Sequence, residues 1–203
     1  MIRAFLAIEL PQELRTELAT LQQELKRRIE PEMKRDTRIS WVKPASIHLT
    51  IKFLGDIDEQ MIDPLRAALE QATGGQNVVN VPLERLGAFP RSEGPRVLWI
   101  GPSQIWERGI EAKRITEIHG AIEQTCEDLR FLREPKPFSP HLTLARIKKG
   151  ERHVGIALAQ SGLLDRPLSM GSLALETVVL MKSDLKPTGS VYTKLWGVRL
   201  SGN

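Results

Sequence analysis

The sequence predicts an α+β fold with largely antiparallel strands. Segments with a two-residue apolar period are mixed with segments of helical period rather than strictly alternating with them. The order strand, helix, strand, helix runs once in each half of the chain. No low-complexity stretch or linker divides the 203 residues, so 1–203 reads as a single domain.

Arg3 to Glu9 alternates in the β manner, with Phe5 and Ala7 on one face and Ala4, Leu6 and Ile8 on the other. Apolar residues on both faces mark a central strand. Pro11 sits where a helix begins, and Leu14, Leu18, Leu21 and Leu25 recur at helical spacing up to Ile29. The charged stretch from Lys26 to Arg38 reads as a loop. Ile47 to Leu54 reads as a strand stopping at Gly55. A helix follows over 58–72, with Pro64 kinking it or resetting its start and Gly74-Gly75 ending it. Val78 to Leu86 and Pro95 to Ile100 read as a strand pair around Pro90, Arg91 and Gly94. Ala112 to Leu129 is a helix, His141 to Ile147 a strand and Gly150 to Gln160 a short helix. Leu173 to Met181 and Val191 to Leu200 read as closing strands about a turn at Lys186-Pro187-Thr188-Gly189.

Composition narrows the classes of function. Apolar residues make up 41% and charged residues 27%, and the formal charge is 29 − 25 = +4. That mild basic excess permits a phosphate-bearing partner without demanding one. No run of 18 apolar residues predicts a membrane span, and the N-terminal run is too short for a secretory signal, so the expected compartment is the cytoplasm. One cysteine, Cys126, cannot form an internal disulfide or anchor a Cys-rich metal site. There is no P-loop glycine pattern, no His-Glu-x-x-His and no Cys cluster, so neither an ATP-dependent reaction nor a metal site is expected.

The chemistry lies in the histidines. Of the four, His48 opens His48-Leu49-Thr50-Ile51 and His141 opens His141-Leu142-Thr143-Leu144. Threonine fills 11 of 203 positions, so two of four histidines with Thr two residues on is roughly a 2% coincidence, before the matching apolar neighbours are required. In a strand, residues i and i+2 share a face. Each motif therefore presents an imidazole beside a hydroxyl, held from behind by packed leucine and isoleucine. Two such strands on one cleft suit an in-line displacement at phosphorus. A neutral imidazole takes the proton of the nucleophile, a protonated one gives its proton to the leaving oxygen, and hydroxyls donate to non-bridging oxygens.

At this point the chain resembles the two-histidine (2H) phosphoesterases, which carry two His-x-Thr-x motifs. Within them it is most similar to the bacterial and archaeal RNA 2',3'-cyclic phosphodiesterases, also called 2'-5' RNA ligases. The likeness extends to Arg3-Ala4-Phe5-Leu6-Ala7, Trp41-Val42, Lys52-Phe53-Leu54-Gly55, Phe89-Pro90-Arg91, Val97-Leu98-Trp99-Ile100-Gly101, Phe138-Ser139-Pro140, Ala145-Arg146, Ser183, Gly189 and Tyr192. It implies a bilobal α+β fold. Two mainly antiparallel sheets are related by a pseudo-two-fold around a central cleft, with helices outside. It also implies that His48 is the proton donor and His141 the proton acceptor, with Thr50 and Thr143 beside them. Phe53, Arg146 and Tyr192 are expected at the substrate. The implied reaction is metal-independent opening of 2',3'-cyclic phosphates on RNA ends or nucleotides, without a cofactor, membrane or obligate protein partner. The segment Ser103 to Glu111, with Trp106, is longer and more irregular than the family pattern and is expected to alter one rim of the cleft.

Blander readings attach to the other residues. His119, between Ile115 and Ile122 on a helix, is expected at the core edge, and His153 on the surface. Cys126 is read as a small buried hydrophobe. Lys26-Arg27-Arg28 and Lys34-Arg35 are read as solvated, because Glu24, Glu30, Glu32 and Asp36 dilute them. Two alternatives to hydrolysis stay open: ATP-independent 2'-5' ligation by the reverse reaction, and a non-catalytic nucleotide- or RNA-binding module.

Overall fold

A computed structural model describes residues 1–187 and 189–200 of the chain. Among these residues the order of elements is β1 (Ile2–Glu9), α1 (Gln12–Ile29), β2 (Arg38–Trp41), β3 (His48–Ile57), α2 (Ile62–Thr73), β4 (Val79–Pro82), β5 (Arg85–Phe89), β6 (Val97–Gly101), α3 (Ile110–Asp128), β7 (Leu142–Lys149), α4 (Glu151–Ser161), β8 (Ser172–Leu175), β9 (Thr177–Lys186) and β10 (Gly189–Arg199). The strands are antiparallel throughout.

The main sheet has two halves. One runs β10-β9-β1-β3, the other β7-β6-β5 with β2 on the far side of β7. β3 and β7 meet at the single register pair Leu49–Leu142. Beyond that pair the strands part, because the end of β7 turns to β2 instead. The parting opens the cleft of a bilobal α+β molecule. β1 lies between β9 and β3, as its two apolar faces require.

The helices are exchanged between the halves. α1 follows β1 yet packs on α4, and Gln22 in its middle reaches the backbone of β7. α3 follows β6 yet packs on α2, and His119 and Glu123 on it reach β3. α1 buries Leu14, Leu18, Leu21, Leu25 and Ile29. Burying each such side chain contributes about 1.5–3 kcal/mol, so Leu18→Ala alone costs about 2–5 kcal/mol. Pro64 is the third residue of α2, where its missing N–H costs nothing, so it resets the helix start rather than kinking it.

Several expectations are corrected. Lys26 to Arg38 is not all loop: α1 runs to Ile29, and Arg38 opens the edge strand β2, whose pairing with β7 outweighs its charged sequence. β3 continues through Gly55, which takes φ +76° at a bulge where Leu54 is the extra residue against β1. Val78 to Leu86 is broken near Leu83, so only β5 pairs with β6, while β4 joins β8 in a separate two-stranded sheet. Leu173 to Met181 is likewise two strands, parted at Glu176, that serve different sheets. The segment 103–111 forms a 3₁₀ turn (Trp106–Arg108) tied back by Arg85–Glu107 and by Ser103 N–H on Glu84, and does not line either cavity of the cleft. Of the expected closing turn, Thr188 lies outside the described residues.

Candidate active site

Two bulges aim the cleft residues. In β3, Ala7 pairs with Thr50 and Leu6 with Lys52, so one step of β1 spans two of β3 and Ile51 is extra. In β7, Trp99 pairs with Thr143 and Leu98 with Ala145, so Leu144 is extra. Ile51 and Leu144 each stand three residues after their histidine. In a straight strand, His48, Thr50 and Lys52 would share a face and Phe53 would turn inward. The bulge reverses the phase after position 51. Lys52 is consequently buried and Phe53, 56% exposed, faces the cleft. The bulge in β7 likewise buries Ala145 and exposes Arg146.

Two adjoining cavities make up the cleft. The first, about 380 Å³, is lined by His48, Thr50, Thr143, Arg146, Phe53 and Tyr192. The second, about 520 Å³, holds His141 and shares Thr50 and Phe53 with the first. All seven expected site residues thus line one or other of two cavities that meet at Thr50 and Phe53.

The imidazoles are held alike. His48 Nδ1 donates to Ser46 O at 2.9 Å, and His141 Nδ1 donates to Ser139 O at 2.8 Å. A carbonyl only accepts, so Nδ1 carries a proton in each ring, and Nε2 is the atom that gains or loses one. Aromatic rings hold both imidazoles. Phe5 lies 4.8 Å and Tyr192 5.2 Å from the His48 ring, and Phe89 lies 5.0 Å from that of His141. Burial pushes both histidines below their usual pKa, against the raising effect of the backbone hydrogen bonds. The Arg146 charge lowers both further, and the His141 charge lowers His48 as well.

The carbonyl partners Ser46 and Ser139 and the aromatic walls Phe5, Phe89 and Trp99 are absent from the sequence-based site. The repeated Ser-x-His in front of both threonines was a usable signal; the walls, on neighbouring strands, show in the sequence only within the family-like segments around Phe5, Phe89 and Trp99.

Behind β3 lies a buried ion pair. Lys52 Nζ donates to both carboxylate oxygens of Glu123 at 2.9 Å and to Leu132 O at 2.7 Å, so all three of its hydrogens are used. His119 is at the core edge as expected, its ring stacked on Phe138 at 4.3 Å. Cys126 is fully buried and its thiol is pushed up to about 12 by burial. Among the described residues no three His, Cys, Asp or Glu side chains gather as a metal ion would need, and no helix is long and apolar enough to cross a membrane.

Known proteins share the sequence pattern and the fold of this chain. The family model of LigT-like phosphoesterases matches residues 8–99 and 110–192, one stretch over each His-x-Thr motif. The chain is 27% identical over 199 residues to the RNA 2',3'-cyclic phosphodiesterase of Methanothermobacter thermautotrophicus, covering 98% of this chain and 99% of that one. To the protein of the same name from Thermus thermophilus it is 30% identical over 209 residues, covering 99% and 91%. Among solved structures, Thermus thermophilus TT0787 superposes with a TM-score of 0.70 at 27% identity over 99% of both chains. Escherichia coli LigT complexed with 3'-AMP superposes with 0.73 at 22% identity over 98% of both, a likeness of fold. With both stretches of the model matched and both motifs on one cleft, the chain belongs to the LigT-like phosphoesterase family of two-histidine enzymes.

Proposed function

We propose that this phosphodiesterase opens 2',3'-cyclic phosphates on RNA ends or nucleotides, without a metal ion, and leaves a 2'-phosphomonoester. The observation that carries the reading is the matched pair of imidazoles, each with Nδ1–H committed to a backbone carbonyl and Nε2 left for proton transfer. Neutral His141 takes a proton from water as the water oxygen bonds to phosphorus. The P–O3' bond breaks, and protonated His48 gives its Nε2 proton to the departing oxygen. Such paired proton transfer contributes about 10²–10⁴-fold for each group. Thr50 and Thr143 donate to the non-bridging oxygens, Arg146 balances their charge, and Phe53 with Tyr192 takes the nucleoside. The division of roles between the histidines follows the family resemblance. The shared name of the relatives supports the substrate class, and such ends are expected in the cytoplasm.

One observation favours a second reading beside the first. The cavity at His141, about 520 Å³, is far larger than the space of one water, about 30 Å³. A 5'-hydroxyl of another strand can take the place of water there, giving a 2'-5' linkage. Water is the abundant nucleophile in dilute solution, so hydrolysis dominates.

A cyclic mononucleotide assay in excess EDTA tests the proposal. Turnover that survives the chelator is the expected result. Turnover lost to EDTA and restored by a divalent ion overturns the metal-free mechanism. Binding without turnover makes the cleft a non-catalytic module.

A further inference from the structure

We infer that His119 and Gln22 are equivalent positioning residues, each locking, from a helix contributed by the other half of the chain, the bulge that aims a cleft residue. The inference rests on the proposed function for what Phe53 and Arg146 do, but its geometry is independent of substrate. Ile51 and Leu144 are the extra residues of the two bulges. His119 Nε2, on α3, donates to Ile51 O at 3.1 Å. Gln22 Nε2, on α1, donates to Leu144 O at 2.8 Å and to Val42 O at 2.8 Å. The same carbonyl of each pseudo-symmetric strand therefore receives a side-chain N–H from the helix exchanged into its lobe.

His119 also stacks on Phe138 and borders the second cavity, whereas Gln22 is enclosed by apolar side chains. Gln22 is 3% exposed on a helix face that is otherwise leucine and isoleucine. Burying an amide or imidazole is unfavourable without hydrogen bonds, so the bonds to the bulges account for their presence. A bulge is a local choice between two strand phases, and the wrong phase would exchange Lys52 with Phe53, or Ala145 with Arg146. Fixing the carbonyl of the extra residue fixes that choice. Around Ile51 the lock is reinforced: Glu123 Oε1 lies 3.7 Å from His119 Nε2 and holds the Lys52 ammonium. Glu134 donates its N–H to Glu123 and accepts the Phe53 N–H through its carboxylate at 3.4 Å.

The molecule itself suggests the test, because one lobe does with an amide what the other does with an imidazole. His119→Leu removes the donor, while His119→Gln retains an Nε2–H at a similar reach. The leucine variant should raise KM for a cyclic mononucleotide about tenfold with kcat within about threefold of wild type. The glutamine variant should restore KM to within about twofold. Amide hydrogen exchange supplies a readout without substrate: exchange at Lys52 and Phe53 should accelerate in the leucine variant and return to wild-type rates in the glutamine variant. Gln22→Leu should do the same at Ala145 and Arg146. If His119→Gln is as impaired as His119→Leu in both measurements, or if His119→Leu leaves exchange at Phe53 unchanged, the inference is overturned. If wild type fails to turn over cyclic nucleotides while the exchange pattern holds, it is the proposed function that fails, and the lock stands.

Discussion

Leu49 and Leu142 face each other across the antiparallel junction of the two lobes, the corresponding residues of the two motifs in one register pair. That pair lies on the pseudo-two-fold of the cleft. The register pairing of β3 with β7 stops there, and the cavities that open beyond it place His48 with Thr50 and Thr143, and His141 with Thr50. A phosphoryl group lying between the two imidazoles, one from each lobe, would be placed for an in-line displacement.

His48→Ala and His141→Ala should each lower kcat by about 10²–10⁴-fold, the usual worth of a positioned acid or base. The rings are half-buried among Phe5, Tyr192 and Phe89 rather than freely hydrated. Some stability is therefore lost too, on the order of 1 kcal/mol. Kinetics beside thermal melts check both parts, and near-wild-type turnover in either variant would remove that histidine from the reaction.

The pH profile has a calculable direction. Burial and the Arg146 charge press both imidazoles below 6.5, so the form with one proton on the pair is most populated below about 6.5 and kcat/KM should peak there. Arg146→Gln removes a positive charge that disfavours both protonated rings. Both pKa values then rise, and the maximum should move to higher pH while its height falls. A shift to lower pH would contradict the electrostatic account.

Phe53 tests the cleft without testing the fold. At 56% exposure it contributes little to packing, so Phe53→Ala should leave the melting temperature nearly unchanged. Loss of a base stacked on an aromatic ring costs about 1–3 kcal/mol, so KM should rise about tenfold. A large drop in melting temperature with unchanged KM would return Phe53 to a structural role.

Lys52→Met leaves the Glu123 carboxylate buried without its cation, at a cost of about 3–5 kcal/mol. Adding Glu123→Leu removes the unpaired charge and should recover much of that loss. Denaturant melts of the single and double variants decide, and equal destabilisation in both would argue against an unpaired charge as the cause.

Much of this molecule was legible in its sequence because local pattern and fold agree there. The leucines of α1, the two apolar faces of β1 and the repeated His-x-Thr each follow from a single periodicity. What was not legible depends on partners far along the chain. Arg38–Trp41 becomes a strand only because β7 offers it an edge. Val79–Pro82 leaves its neighbour β5 for β8, some 90 residues on. The period of two also misplaces Lys52 and Phe53, because a bulge is a relation between two strands and one strand alone does not announce it. Family likeness put Phe53 at the substrate; the bulge supplies the physical reason that it faces the cleft.

The most direct test of the central claim is the product of a 2',3'-cyclic mononucleotide, followed by phosphorus NMR against 2'- and 3'-monophosphate standards. With the 3'-oxygen toward protonated His48 and water toward His141, the account predicts a 2'-phosphomonoester. A predominantly 3'-phosphate product would contradict it, since the substrate would then lie reversed between the two histidines.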